Sequence, residues 1–355
     1  MPILLQGFNW NTHAQGTLYK KLKSMSGELK SFGITHVWYP PVSKSRDKEG
    51  YYPIEYYDLN SAYGNSKDLS ESVRALKTVG IESVADIVSW YEFDGYKRDG
   101  FIFSKRKRSI DDPRLFSEFS EYVKLLTSGI GFGGIRVDCL KTYPSNELGM
   151  YLSSDESFQD VMMIGELWET MNYDVHHMEY DQSTHRQSIV DYVDRTNGRF
   201  HMFDFTTKGI LQEAVNKNEY WRLIDDEKRP PGAIGYWPEK CITFIDNHDT
   251  LGQHLWAFSY DYDKVLIGYA YILTHPGTPC VYIDHYESHK DSIRSLIALR
   301  NMYNIHEGSS VEILEATNDK YAALIDGVVI VELGCVSHYG NDVFAANGVA
   351  IRVAL

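Results

Sequence analysis

The sequence GIRVDC at residues 134–139 is a short apolar run with an arginine and an aspartate near its end. It is one of eight such runs, rich in β-branched and aromatic residues and separated by segments long enough for a loop and one or two helices. The runs are Ile3–Phe8, His36–Pro40, Ser83–Val88, Gly134–Cys139, Met162–Leu167, His201–Phe205, Ile242–Asn247 and Pro279–Asp284. Most are almost continuously apolar, which is typical of parallel strands that are covered on both faces.

Helical patterns occupy the segments between these runs. Leu18–Phe32 has apolar residues at helical spacing and precedes Gly33, a residue that favours the end of a helix. Further helices are predicted at Leu69–Val79, Phe116–Thr127 and Lys264–Leu273. Strands that alternate with helices imply a parallel sheet, so the chain is predicted to be an α/β protein, a (β/α)8 TIM barrel.

The pattern changes after about Asn304. Short strand-like runs then follow one another with turn residues between them, at Ser310–Ala316, Tyr321–Ile325, Val328–Leu333 and Val349–Ala354. We therefore predict two domains, a barrel at residues 1–304 and a small C-terminal antiparallel β-sheet domain at residues 305–355.

The charge balance argues against two classes of partner. The 355 residues contain 35 Lys and Arg against 49 Asp and Glu, a net charge of −14. So acidic a chain repels phosphate backbones and anionic lipid surfaces, so we expect no nucleic-acid or membrane partner. Aromatic residues make up 14% of the chain, which suits either contacts with sugar rings or a tyrosine-rich core. We expect a monomer.

The cysteines and the N-terminus bear on the compartment. Cys139, Cys241, Cys280 and Cys335 are far apart, so they are interpreted as small buried thiols and not as a metal site or a disulfide framework. The first residues contain no charged segment followed by an apolar one, so a cytoplasmic location is expected for the chain as numbered. A secreted protein is expected if a signal was removed before the numbering began.

Acidic residues follow three of the predicted strands. Asp138 and Glu166 lie one residue before the ends of the fourth and fifth runs, and Asp249 follows the seventh. In a barrel the carboxyl ends of all strands meet at one mouth, and Arg136 lies on the same strand face as Asp138. Two carboxyl groups are what retaining glycoside hydrolysis requires, one as nucleophile and one as acid and then base. The alternative is that these acids only cap the helices that follow.

Longer motifs in the chain support a role of these acids in glycoside hydrolysis. They are LLQGFNW (4–10), THVWYPP (35–41), EGYYPIEYYDL (49–59), YGN (63–65), ADIV (85–88), GFGGIRVD (131–138), GELW (165–168), FDFTTKGIL (203–211), WRLID (221–225), FIDNHDT (244–250) and GYAYILTHPGTPC (268–280). Through them the chain resembles the α-amylase family of glycoside hydrolases, most closely its plant-type members, from residue 3 to about residue 335.

The resemblance implies endo-acting, retaining hydrolysis of α-1,4-glucosidic bonds in starch-like glucans or maltooligosaccharides. It assigns the nucleophile to Asp138, the general acid and base to Glu166, and the third acid, which holds sugar hydroxyls, to Asp249. The residues that we expect to bind substrate are Arg136, His248, Tyr51, Lys141, Trp168, Tyr91 and Trp10.

The chain departs from the family pattern after the third strand. The family sequence Asp-x-Val-x-Asn-His is replaced by Asp86-Ile87-Val88-Ser89-Trp90-Tyr91, so Trp90 stands where the family has an asparagine ligand of calcium. The loop domain that follows is shortened, at about residues 91–112. Because calcium needs six to eight oxygen ligands, we predict that the family calcium site is lost and that no metal or other cofactor is bound. Two alternatives stay open: an α-glucan transglycosylase, or a catalytically impaired glucan-binding protein.

Overall fold

The computed structural model describes residues 1–88, 113–175 and 177–354, with no side chains described for residues 113–116. Its first ten strands are β1 (Leu4–Gln6), β2 (His36–Pro41), β3 (Lys44–Ser45), β4 (Pro53–Glu55), β5 (Glu82–Ile87), β6 (Gly134–Val137), β7 (Met162–Gly165), β8 (Phe200–Phe203), β9 (Cys241–Thr243) and β10 (Thr278–Tyr282). β3 and β4 form a separate hairpin, and the other eight pair in parallel in the closed order β1-β10-β9-β8-β7-β6-β5-β2. The predicted TIM barrel is therefore confirmed.

The first seven α-helices of the described residues lie between barrel strands along the chain, and the last two follow β10. They are α1 (Leu18–Phe32), α2 (Ser66–Thr78), α3 (Pro113–Lys124), α4 (Ser145–Ser154), α5 (Ser183–Arg195), α6 (Phe205–Lys217), α7 (Tyr262–Thr274), α8 (Ile283–Ser288) and α9 (Lys290–Met302). α1 has the predicted bounds and ends at Gly33, which has a φ of +89°. α2 begins before its predicted start because the side chain of Asn65 accepts a hydrogen bond from the backbone N–H of Asp68.

The C-terminal sheet contains one more strand than the sequence predicted. Its strands are β11 (Val311–Ala316), β12 (Lys320–Ile325), β13 (Val329–Gly334), β14 (Asp342–Ala346) and β15 (Val349–Val353), in the order β11-β12-β13-β15-β14. The missed strand is β14, an edge strand whose side chains are exposed or half-buried, so it has no continuous apolar run. The sheet packs on the barrel, where the hydroxyl of Tyr321 lies 2.9 Å from Nε2 of the buried His275.

The cysteines differ from expectation at two positions. Cys241 and Cys280 are buried, as predicted, but Cys139 is half-buried and Cys335 is exposed. The prediction was wrong for these two because both lie just beyond the end of a strand, Cys139 two residues after β6 and Cys335 one residue after β13, and not inside the buried strand. None of the helices within the described ranges is long and apolar enough to cross a membrane.

Candidate active site

Four acidic residues gather at the carboxyl end of the barrel. Asp86 belongs to β5, while Asp138, Glu166 and Asp249 follow β6, β7 and β9. Strand register brings the first three together, because Arg136 of β6 pairs with Asp86 on one side and with Ile164 of β7 on the other. The structure therefore brings together the three acids that the sequence singled out, and it adds Asp86.

Arg136 lies at the centre of these acids and is fully buried. Its Nη1 donates hydrogen bonds to Oδ1 of Asp86 at 2.9 Å and to Oδ1 of Asp138 at 2.7 Å. Its Nη2 lies 3.0 Å from Oε2 of Glu166. One guanidinium thus compensates the charge of three carboxyl groups and fixes their positions relative to one another.

The turn after β6 positions Glu166 beside Asp138. Cys139 has a left-handed φ of +48°, and its backbone N–H donates to Oε2 of Glu166 at 3.1 Å. The N–H of Leu140 donates to the backbone carbonyl of Glu166 at 2.8 Å. Burial, together with the neighbouring acids, raises the pKa of Asp138, while Arg136 opposes that shift. The side chain of Asp138 is 21% exposed, so a ligand at the barrel mouth can reach it.

Asp86 is a buried anchor for the residues around it. It accepts hydrogen bonds from Nε1 of Trp38 at 3.1 Å and from the hydroxyl of Tyr51 at 3.2 Å, in addition to those from Arg136. Burial raises the pKa of Asp86 to about 6, and the charge of Arg136 opposes this effect. The sequence analysis gave Asp86 no role, although an acid inside an apolar strand run is the signal that marks it.

His248 and Asp249 form the opposite side of the site. Nε2 of His248 lies 2.7 Å from the hydroxyl of Tyr51 and 3.3 Å from Oδ2 of Asp249. The side-chain oxygen of Asn247 accepts the backbone N–H of Asp249 at 2.9 Å, which holds the turn that presents both residues. Burial lowers the pKa of His248 to about 3, so its imidazole is neutral.

Gln6 is a further polar residue of this site that the sequence analysis missed. Its side-chain nitrogen donates to Nδ1 of His248 at 2.9 Å, and the residue is fully buried at the end of β1. The signal was a lone amide that closes the apolar sequence Ile3-Leu4-Leu5.

Two of the predicted tryptophans lie in aromatic stacks. The ring of Trp10 is nearly parallel to those of Tyr51 and His248, with centroids 6.0 and 6.2 Å away. Trp168 stacks on Phe205, with ring centroids 5.3 Å apart, and on Trp256, which follows β9, at 6.1 Å. Both Trp10 and Trp168 are half-buried, so each keeps an accessible surface. Their contact with a sugar stays a prediction.

The remaining predicted site residues differ in what the structure shows of them. Lys141 is exposed on the short turn that follows Asp138. Tyr91 and Trp90 lie outside the described residues, as does the predicted short loop domain at residues 91–112. Roles at these positions stay predictions.

Within the described ranges, no three His, Cys, Asp or Glu side chains are grouped so that they could hold a metal ion. In the acidic cluster itself, the compensating positive charge comes from Arg136. The predicted loss of calcium stays a prediction, because it depends on Trp90 and the residues after it.

Comparison with known proteins gives two family matches. Residues 21–114 match the alpha amylase catalytic domain, and residues 302–344 match the alpha-amylase C-terminal beta-sheet domain. A crystal structure of an Anoxybacillus alpha-amylase aligns with a TM-score of 0.70 at 13% identity, over 99% of this chain and 95% of that one. At this low identity the structural match supports the fold alone.

Two plant proteins are similar along almost the whole chain. The chain is 34% identical to "Probable alpha-amylase 2" of Arabidopsis thaliana, over 94% of this chain and 88% of that protein. It is also 34% identical to "Alpha-amylase 3, chloroplastic" of the same plant, again over 94% of this chain but only 41% of that protein, so it spans less than half of that relative's length. With these matches and the acidic cluster at the barrel mouth, the chain belongs to the alpha-amylase family of glycoside hydrolases.

Proposed function

We propose that the chain hydrolyses internal α-1,4-glucosidic bonds of starch-like glucans or maltooligosaccharides and retains the configuration at the anomeric carbon. The names of the plant relatives support the substrate class. The observation that carries the proposal is the pair of contacts that Arg136 makes, to Asp138 at 2.7 Å and to Glu166 at 3.0 Å.

These contacts favour the retaining mechanism over the inverting one. Retaining enzymes have carboxyl groups about 5–5.5 Å apart, whereas inverting enzymes leave about 6.5–9.5 Å for a water molecule. Asp138 and Glu166 contact neighbouring nitrogens of one guanidinium, so their carboxyl groups lie close together. This proximity favours direct attack by Asp138 over attack by a water molecule held between it and the sugar.

The first half of the reaction forms a covalent intermediate. A carboxylate oxygen of Asp138 attacks the anomeric carbon as the bond from that carbon to the glycosidic oxygen breaks. Glu166 gives its proton to the leaving oxygen, and the shortened glucan departs with a free hydroxyl. Asp138 is the more exposed of the two side chains, at 21% against 8%, which suits direct contact with the sugar.

The second half releases the sugar. Glu166, now ionised, takes a proton from water, and the water oxygen attacks the anomeric carbon while its bond to Asp138 breaks. Asp249, whose side chain is 19% exposed, and the Nε2 atom of the adjoining His248 would bind hydroxyls of the same sugar. Hydrogen bonds of this kind stabilise the transition state when they strengthen as charge develops on the ring.

The test compares the wild-type protein with Asp138→Asn and Glu166→Gln. We expect reducing-end release from soluble starch and maltoheptaose to fall by more than about 1,000-fold in both variants, since each removes one of the two reacting groups. Glu287→Gln is the control, because it neutralises an exposed acid that pairs with Lys21 on the barrel exterior. Circular dichroism of all variants checks that the fold is kept.

Product analysis tests the finer points. Proton NMR during the first turnovers should show the α-anomer, and early products from starch should span many lengths if cleavage is internal. Substantial residual hydrolysis in both acid variants, or a β-anomeric product, would refute the proposal. Longer products at high maltooligosaccharide concentration would instead indicate transfer to a sugar acceptor.

A further inference from the structure

The polar contacts of His248 run through the site as a connected chain. Gln6 contacts Nδ1 of His248, Nε2 of His248 contacts the hydroxyl of Tyr51, and that hydroxyl donates to Oδ2 of Asp86. Gln6 lies 242 positions before His248 and is fully buried. A buried amide destabilises a protein unless it is hydrogen-bonded, so the contact with His248 is what compensates the burial of Gln6.

The surroundings of His248 keep its imidazole neutral, with a single ring N–H proton. The ring is fully buried and lies among the rings of Phe8, Trp10, Trp38 and Tyr51, and burial lowers its pKa to about 3. A neutral imidazole carries its proton on either Nδ1 or Nε2, and the hydrogen bonds decide which nitrogen holds it. Charged groups act on the ring from several elements, namely Asp249, Arg136 and Glu166.

The neighbours of Nε2 require the proton on that atom. The hydroxyl of Tyr51 already donates to Asp86, so it accepts from His248. Oδ2 of Asp249, 3.3 Å away, is an acceptor when ionised and would repel a bare nitrogen lone pair. A bare Nε2 would therefore face two acceptors.

The contact from Gln6 agrees with this assignment. Its side-chain nitrogen can only donate, so Nδ1 must be the bare acceptor. If the amide were reversed, its oxygen would require a proton on Nδ1, and Nε2 would face Asp249 without one. In the observed orientation the amide oxygen has no hydrogen-bond partner among the described residues. The hydrogen bond to His248 is therefore the interaction that favours this orientation of the amide.

We propose that Gln6 is a positioning residue that holds His248 in the neutral form with its proton on Nε2, where that proton faces the hydroxyl of Tyr51 and Oδ2 of Asp249. The inference deepens the proposed function and rests on it for its catalytic consequence. Gln6 itself touches neither the reacting acids nor the cleft. It acts through its contact with His248.

The test uses two substitutions of similar size. In Gln6→Glu the carboxylate accepts where the amide donated, so it draws a proton to Nδ1 and gives either the other tautomer or the imidazolium. In Gln6→Met the donor is removed and no acceptor is added. Tyr321→Phe is the matched control, because it removes a hydrogen bond to another fully buried histidine, His275, at the interface with the C-terminal sheet.

The first readout is the tautomer itself. Two-bond proton–nitrogen NMR of protein labelled with 15N-histidine distinguishes the two neutral forms and the cation, and His248→Asn identifies the signal among the 13 histidines. We expect the Nε2–H form in the wild type and in Tyr321→Phe, and its loss in Gln6→Glu. The wild-type measurement needs only the His248→Asn reference and no activity, so it decides the inference even if Gln6→Glu fails to fold.

The second readout is kinetic. We expect kcat of Gln6→Glu on maltoheptaose to fall about 10- to 100-fold with KM nearly unchanged, and its pH profile to gain a limb from the titration of His248. Gln6→Met should lose less, and Tyr321→Phe should keep the wild-type profile. A wild-type His248 with its proton on Nδ1, or a Gln6→Glu variant with unchanged tautomer and kcat, would overturn the inference. An inactive wild type with the expected tautomer would refute the proposed function but not the placement of this proton.

Discussion

Arg136 donates a 2.7 Å hydrogen bond to Asp138, which lies two positions further along the chain, and the same nitrogen contacts Asp86 of the neighbouring strand. Residues two apart on a strand share one face, so this geometry follows from the extended backbone of β6. Arg136 therefore orients the proposed nucleophile and also compensates a buried acid. Stability and activity depend on the same side chain.

Replacement of Arg136 by Met should reduce both quantities. It leaves Asp86 buried without its cation, and loss of one partner of a buried ion pair costs about 3–5 kcal/mol of unfolding free energy. It also releases Asp138, so we expect starch hydrolysis to fall at least about 100-fold. Urea unfolding and reducing-end assays measure the two effects.

An exposed ion pair of the same length supplies the control for Arg136. Lys21 and Glu287 are 2.7 Å apart on the surface, so Lys21→Met should change the unfolding free energy by less than about 1 kcal/mol and leave hydrolysis intact. Equal losses of unfolding free energy in the two variants would show that burial does not increase the contribution of the Arg136 ion pairs to stability.

Gly165 immediately precedes Glu166 and has no space for a side chain. A Cβ atom there would collide with Leu140 and would lie 2.7 Å from the sulfur of Met202. We expect Gly165→Ala to lower the unfolding free energy by about 1–3 kcal/mol and to reduce hydrolysis, because the strand end that carries Glu166 must shift. Chemical denaturation and starch hydrolysis test this.

Gly27 provides the opposite case for the same substitution. It lies inside α1, and no atom of the described residues comes within 4 Å of the position that a Cβ would take, so Gly27→Ala should stabilise the protein by about 0.5–1 kcal/mol. A Gly165→Ala variant as stable and active as Gly27→Ala would contradict the packing described for β7.

His275 should make stability depend on pH. Burial lowers its pKa to about 3 in the folded protein, below the ordinary value of 6.5. Between these values the unfolded chain binds a proton that the folded chain does not, so the contribution of His275 is complete above pH 6.5 and is lost as the pH falls toward 3.

Replacement of His275 by Gln isolates this contribution from those of the other titrating groups. The slope of unfolding free energy against pH between pH 6 and 4 should be shallower in the variant, by about 1.4 kcal/mol per pH unit at most. Parallel slopes for the two proteins would mean that His275 is protonated in the folded state.

Removal of divalent cations tests the predicted loss of the calcium site. If Trp90 replaces a calcium ligand, starch hydrolysis and the unfolding midpoint should both be unchanged by an excess of a strong calcium chelator. The Asp138→Asn variant, assayed alongside, sets the background. Loss of activity on chelation, with recovery on addition of calcium, would contradict the prediction.

The fold and the proposed reacting groups could be predicted from local pattern. The eight strand runs overlap the eight barrel strands, and α1 has its predicted bounds. Apolar runs, helical spacing and terminal glycines act over a few residues, so a single sequence displays them. The positions of Asp138, Glu166 and Asp249 at strand ends follow in the same way, since a closed parallel barrel places those ends at one mouth. The sequence did not predict β14, because an exposed edge strand needs no apolar run.

The contacts within the site were decided only by the tertiary structure. Gln6 meets His248 from 242 positions away, and Arg136 reaches Asp86 and Glu166 on the two adjacent strands. Such contacts depend on the register in which the barrel closes, and many distant residues set that register together. The sequence by itself determined which groups stand at the mouth of this barrel. Its closure determined which of them share a proton or a charge, because hydrogen bonds and ion pairs act only over a few ångströms.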